Sequence, residues 1–316
     1  MNFTRRRFSV LLASGAVGTS GCIGDGDGGD ENGNDSNRNS TGNDSENPNG
    51  DEAGTTEFRG HELPPLPASD GNVWYHDRGD APVYLEPSEE TVEPPQDVVF
   101  SLRNESDDGV GLNPYDWNVY KLYEGDWRLV KFREIPEPWE TVPPGESVSQ
   151  TVSVSTHADE GDIALGEGVY GFYLGRRDYA TAFEVVGAEV VVEPSDSVAR
   201  TERDGNVVTV YTKQYEATDG SQTETIVFRK EDGVDRPTPY DAPTVLREQT
   251  ANEEVLRNTV PYFDEDGNGG VNEVRLKIPT SDRGNIGAFL GGGVRDSERW
   301  FVYEGDEYSV EAVEDA

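Results

Sequence analysis

Asp97-Val98-Val99-Phe100-Ser101-Leu102-Arg103-Asn104 places Val98, Phe100 and Leu102 at every second position, with polar or smaller side chains between them. In an extended chain, a period of two puts those three side chains on one face, whereas a helix would spread them around its circumference. The octapeptide therefore predicts a half-buried strand. Segments of the same type recur at 83–85, 117–123, 127–132, 147–154, 169–174 and 182–186, separated by turn residues. Short alternating strands broken by turns predict an antiparallel β-sandwich.

The octapeptide also resembles the B strand, with its Asn-rich turn, of bacterial immunoglobulin-like domains. Asn118-Val119-Tyr120-Lys121-Leu122-Tyr123, the turn at Gly125 and Trp127 resemble their next hairpin. Thr141-Val142-Pro143-Pro144-Gly145-Glu146 resembles the Pro-Gly corner, and 165–170, followed by Phe183-Glu184-Val185, resembles the Gly-x-Tyr stretch that opens a late strand. The resemblance implies an immunoglobulin-like sandwich over residues 59–187. Cys22 is the single cysteine, so no disulfide can link its sheets.

Residues 188–316 read as a second, α+β domain. Asp204-Gly205-Asn206 and Asp219-Gly220 are hairpin signals, and they predict that 198–203, 207–217 and 223–230 form a meander. Asp241 is placed to cap a helix with Pro243 in its first turn. Leu246, Leu256 and Val260 would share one side of it before Pro261 ends it. Strands at 271–278, 300–303 and 308–313, the last two joined across Glu304-Gly305-Asp306, complete an antiparallel sheet with one main helix. The fold class expected for the whole chain is mainly β.

The 316 residues carry 63 acidic against 26 basic side chains, a formal charge of -37. Phosphate binding needs clustered Lys and Arg, so nucleic acid is excluded as a partner. Twenty-one of the bases are Arg and five are Lys, namely Lys121, Lys131, Lys213, Lys230 and Lys277. Such an acid-rich, lysine-poor composition resembles that of proteins from salt-accumulating archaea. Molar salt shrinks the Debye length to about 3 Å and relieves the self-repulsion.

The N-terminus carries an address. Thr4-Arg5-Arg6-Arg7-Phe8 precedes an uncharged run over 9–21 that is too short to span a bilayer as a helix. Arg5 and Arg6 resemble the twin-arginine export motif. Ser20-Gly21-Cys22 resembles a lipobox, which implies signal cleavage and acylation of the Cys22 thiol. Residues 1–22 thus form an export signal with a lipidation site. Residues 23–58, dominated by Gly, Asn, Asp, Ser, Glu and Thr, read as a disordered acidic tether. Asn34, Asn39, Asn43 and Asn104 each begin an N-glycosylation sequon.

Little in the chain reads as chemistry. The sequence contains no G-x-S-x-G, H-E-x-x-H or G-x-x-x-x-G-K-[ST]. His61, His76 and His157 read as surface or packing residues. Trp74, Trp117, Trp127, Trp139 and Trp300 read as core, with a sugar-stacking platform as the alternative. Asp264-Glu265-Asp266-Gly267-Asn268-Gly269 resembles the start of a calcium loop, with Asp264, Asp266 and Asn268 as ligands and Glu273 as a further one; the alternative is a solvated acidic turn. Arg275 stands where a complete EF-hand loop needs its last glutamate.

These features predict a non-enzymatic lipoprotein on the outer face of the cytoplasmic membrane, anchored through Cys22. Without a cofactor beyond the calcium option, it would bind a surface protein or glycan, or organise the envelope. The alternatives are a substrate-binding lipoprotein of a transporter and a surface hydrolase.

Overall fold

The ring of Phe100 stacks on that of Phe172 with centroids 3.9 Å apart, and this contact joins two sheets. The computed structural model describes residues 56–67, 69, 71–133, 139–159, 161–219, 222–231, 242–263, 270–282, 286–290 and 298–314. The chain begins with the short strands β1 (Thr56–Phe58), β2 (His61–Leu63) and β3 (Val73–Trp74). Strands β4 (Val83–Pro87), β5 (Thr91–Val92), β6 (Gln96–Asn104) and β7 (Val110–Leu112) follow. Next come β8 (Trp117–Tyr123), β9 (Asp126–Arg133) and β10 (Glu140–Val142). Strands β11 (Ser147–Ser155), β12 (Asp162–Ala164), β13 (Gly168–Leu174) and β14 (Arg176–Val185) complete this half.

Two layers result, as the alternating segments predict. One sheet has the order β12-β11-β6-β4 and the other β3-β14-β13-β8-β9, with β5 also on β14. Val98, Phe100 and Leu102 of β6 are fully buried against Phe172, Phe183 and Val119 of the facing sheet. Lying on alternate positions of their strands, these residues can be removed from water together, each contributing about 1.5–3 kcal/mol.

A third layer, absent from the sequence-based expectation, lies outside these two. The β1–β2 hairpin turns through Arg59 and Gly60, both at positive φ. Together with Leu66 and Trp74 it covers the outer face of the second sheet, where Phe58, Leu63, Leu66 and Trp74 pack with Tyr120, Trp127 and Tyr173. The indole of Trp127 donates to Pro64 O at 2.7 Å, pinning this strap. The tether expected over 23–58 is corrected at its end, because residues 56–58 form β1 with Thr56 and Phe58 buried.

The second half contains β15 (Val198–Asp204), β16 (Val207–Thr212), α1 (Lys213–Ala217) and β17 (Thr223–Glu231). Helices α2 (Arg247–Asn252) and α3 (Glu254–Arg257) then lead to β18 (Glu273–Pro279), α4 (Ile286–Phe289), β19 (Arg299–Tyr303) and β20 (Asp306–Glu314). The sheet order is β15-β16-β18-β17-β20-β19. The hairpins at Gly205 and Gly305 form as expected.

The meander does not form. Strand β18 enters between β16 and β17, parallel to the first and antiparallel to the second. Its Val274 aligns with Val208 and Phe228, and its Leu276 with Val210 and Ile226, in continuous apolar rows across the three strands. Residues 213–217, expected as strand, are helical. The single expected helix is also corrected. Asp241 lies outside the described residues, Pro243 precedes the helix with its carbonyl accepting from Val302 N beside a Thr244–Val302 bridge, and α2 starts only at Arg247. Glu253 at φ -104° and ψ 114° separates α2 from α3, and Pro261 sits inside a short 3₁₀ turn at Val260–Phe263.

Candidate functional site

Nine of the residues singled out in the sequence fall where no geometry is described: Arg5, Arg6, Cys22, Asn34, Asn39, Asn43, Asp264, Asp266 and Asn268 lie outside the described residues. Glu273 is engaged elsewhere, with Oε2 3.0 Å from Arg229 Nε and Oε1 2.6 Å from Arg275 NH2. Among the described residues no group of three or more His, Cys, Asp or Glu is placed to hold a metal ion.

Asn104 lies within the described residues. Its side chain is buried at 1% exposure, and Nδ2 donates to Asp108 O at 2.8 Å and Val142 O at 2.9 Å. Oδ1 accepts from the Ser106 amide and hydroxyl. A substituent on Nδ2 would replace a hydrogen that these two donations use. The sequon is a loop lock that ties the end of β6 to the corner before Pro143.

Four of the five tryptophans are buried, and Trp139 is the exception at 69% exposure. His61 is exposed, whereas His76 is largely enclosed beneath the strap and His157 lies 3.9 Å from Glu193. A shallow pocket is lined by Thr212, Gln214, Glu254, Val255, Asn258, Leu276, Ile278 and Asp282. Its cavity volume of about 10 Å³ is far below the roughly 300–1,000 Å³ of small-molecule sites.

The densest collection of perturbed groups lies where α2 and α3 meet the sandwich. Helix α2 begins with Gln249 Oε1 accepting from Leu246 N–H at 2.7 Å, which satisfies one orphan donor. Its buried face is polar: Glu248, Gln249, Thr250 and Asn252 are all under 9% exposed. Glu248 Oε1 meets Lys121 Nζ of β8 at 2.5 Å and the Tyr170 hydroxyl of β13 at 3.1 Å. That hydroxyl also lies 2.8 Å from Gly166 O. Burial, reinforced by Glu248, raises the Tyr170 phenol well above its ordinary value, so it remains protonated.

The remaining polar groups of this face bind backbone. Gln249 Nε2 donates to Leu129 O at 2.7 Å on the edge strand β9. Asn252 accepts from Ala164 N at 3.0 Å and donates to Ala164 O at 2.8 Å, behaving as a paired strand residue toward β12. Lys131 Nζ donates to Asn252 O at 3.1 Å, and burial pushes this ammonium below its ordinary value. Farther along, Arg257 donates to Glu193 O and Ala158 O, and Asn258 Oδ1 accepts from Ser195 N at 2.8 Å. Two edges of the sandwich, with groups that would otherwise pair another strand, are thus covered by side chains.

Glu, Lys and Tyr at contact distance form a set that acid–base chemistry can use. Here, however, Tyr170 and Glu248 are under 5% exposed and the Lys121 side chain is 17% exposed. Two fixed donors, Lys121 Nζ and the Tyr170 hydroxyl, occupy Oε1 of the carboxylate. What the arrangement does is join the sandwich to the C-terminal sheet. Leu246 and Leu256, which flank α2 and mark this region in the sequence, leave Glu248 and Asn252 unnoticed, although their i, i+4 spacing is the available signal.

Fold and seam together define a mainly β protein in which an antiparallel sandwich and a six-stranded sheet are joined through a polar helix face. No family model matches the chain, and no curated protein matches it. Partial likenesses exist among solved structures. The alkylpurine DNA glycosylase AlkC of Pseudomonas fluorescens, bound to DNA containing an abasic site analog, shares 12% identity at a TM-score of 0.24, over 35% of this chain and 32% of that one. A β-glucosidase from Listeria innocua in complex with glucose shares 14% identity at a TM-score of 0.21, over 34% of this chain and 16% of that one. The chain thus spans under a third of the glycosylase and under a fifth of the glucosidase, and both likenesses are limited to parts of the fold.

Proposed function

We propose that this chain is an exported lipoprotein, held on the outer face of the cytoplasmic membrane through Cys22, that acts as a binding or envelope-organising module without catalysis. The observation that carries the reading is the order Arg5-Arg6, uncharged run, Ser20-Gly21-Cys22, acidic Gly/Asn/Asp/Ser tract. In turn these parts supply an address, an inserting segment, an acylation site and spacing from the surface. The excess of carboxylates, 63 against 26 bases, suits an exterior at molar salt, where screening removes the repulsion within a few ångströms.

The ligand of the module is a surface protein or a glycan. Fractionating cells in molar salt tests the anchoring. The wild-type chain is expected in the membrane fraction and released by detergent, and Cys22→Ser is expected in the soluble fraction. Equal distribution of the two would contradict it.

A further inference from the structure

Strand β14 has no continuous neighbour along its outer edge. β3 pairs with Tyr179 and Ala180, β5 pairs with Glu184 and Val185, and Ala182 falls between them. His76, in the turn after β3, fills this gap. Its Nε2 lies 3.1 Å from Ala182 N and 2.9 Å from Ala182 O. Ala182 is fully buried, so its N–H needs a partner within the protein. A neutral ring with its proton on Nδ1 supplies one at Nε2 and turns Nδ1 toward Glu90 Oε1, 3.5 Å away.

The same ring carries the strap. The centroid of Phe58 in β1 lies 4.5 Å from that of His76, and Tyr75 meets the imidazole edge-on at 5.5 Å. Leu63 of the hairpin is buried in the cluster with Trp127, and polar contacts add Arg59 to Glu184 at 3.1 Å and to Thr91 at 2.6 Å, and Thr56 to Asp77 at 3.3 Å. We propose that His76 is a pH-sensitive latch, which holds the β1–β2 strap on the sandwich while neutral and loosens it when protonated.

Protonation opposes docking through two effects, against a contact that favours the cation, the Nε2–H an imidazolium can donate to Ala182 O at 2.9 Å. An imidazolium donates from both nitrogens, so the Ala182 N–H loses its acceptor, and a buried unpaired N–H costs about 1–3 kcal/mol. The positive charge also falls on a side chain only 10% exposed. Of the charged groups facing the ring, Glu90 favours the cation and Arg59 opposes it, while Asp77 and Glu184 are engaged with Thr56 and Arg59. Burial outweighs Glu90 and the Ala182 carbonyl and holds the imidazole below its ordinary 6.5. Since the group's pKa is lower in the docked state, its stabilisation is present above 6.5 and lost as pH falls toward the docked value. In that window the undocked fraction grows up to about tenfold per pH unit.

Amide hydrogen exchange on the full chain in molar salt, corrected for intrinsic rates, tests this between about pH 7.5 and about pH 5. The protection of Phe58 and Ala182 is expected to fall about tenfold or more, with Phe100 and Phe172 unchanged, and His76→Gln is expected to abolish the change. Constant protection in the wild type, the same pH dependence in His76→Gln, or parallel loss at Phe100 and Phe172 would each overturn the latch. Should His76→Gln not fold, the wild-type imidazole titration by NMR decides: a midpoint below 6.5 that coincides with the loss at Phe58 supports the latch, and one at or above 6.5 overturns it.

Discussion

Lys121 on β8 and Glu248 on α2, 127 positions apart in sequence, meet at 2.5 Å and close the seam between the two halves of the molecule. In a chain with five lysines, Lys121 and Lys131 both sit in this seam rather than on the surface. The surface is left mainly to arginine. A buried pair is strong evidence of geometry and weak evidence of net stability, because both ions lose water.

A double-mutant cycle separates these terms. Lys121→Met leaves the Glu248 carboxylate buried without its cation and is expected to cost about 3–5 kcal/mol. Glu248→Gln costs less, since the Lys121 ammonium can turn to water. The double variant is expected to recover most of the loss, measured by denaturant unfolding in molar salt. Strictly additive losses would mean that the two residues act separately.

Tyr170 sets an alkaline limit. Its folded pKa is raised and its unfolded value is 10.0, so its contribution is complete below 10.0 and is lost as pH climbs through the folded value. Unfolding free energy should decline above pH 10, and Tyr170→Phe should flatten that decline while losing about 1 kcal/mol at neutral pH. An unchanged alkaline slope in the variant would assign the decline to other groups.

The strap rests on a missing side chain. A Cβ at Gly171 would lie 3.0 Å from Leu66 Cδ2 and 3.2 Å from Trp127 Cη2. Gly171→Ala is therefore expected to destabilise by about 1–3 kcal/mol through overpacking and to raise hydrogen exchange in β2. Thermal unfolding and exchange at Leu63 check it, and a stabilised variant would show that the strap yields easily.

Thr181 carries a fully buried hydroxyl with no hydrogen-bond partner among the described residues. Thr181→Val keeps the shape and removes the unsatisfied group, so it should be neutral or stabilise by about 1 kcal/mol. A loss beyond that, measured in the same denaturant assay, would reveal a partner for the hydroxyl in the native state.

The parts of the fold legible in the sequence are those governed by local rules. Strand β6 follows from the alternation of Val98, Phe100 and Leu102, and the β19–β20 hairpin follows from Glu304-Gly305. What was not legible depends on contacts distant in sequence. Nothing local distinguishes a meander from the insertion of β18 between β16 and β17, because both bury Val274 and Leu276. The polar face of α2 was hidden by an acid-rich composition in which Glu248 looked like one carboxylate among 63. Strands β1 and β2, three residues each, are too short for periodicity to register.

The reading of the whole chain turns on its processed start. Mass spectrometry of the native protein, extracted from membranes in molar salt, measures that start directly. The account predicts an N-terminal peptide beginning at Cys22 with lipid on its sulfur and no peptide from residues 1–21; a chain retaining Met1 or Asn2, or a Cys22 thiol without lipid, would contradict it.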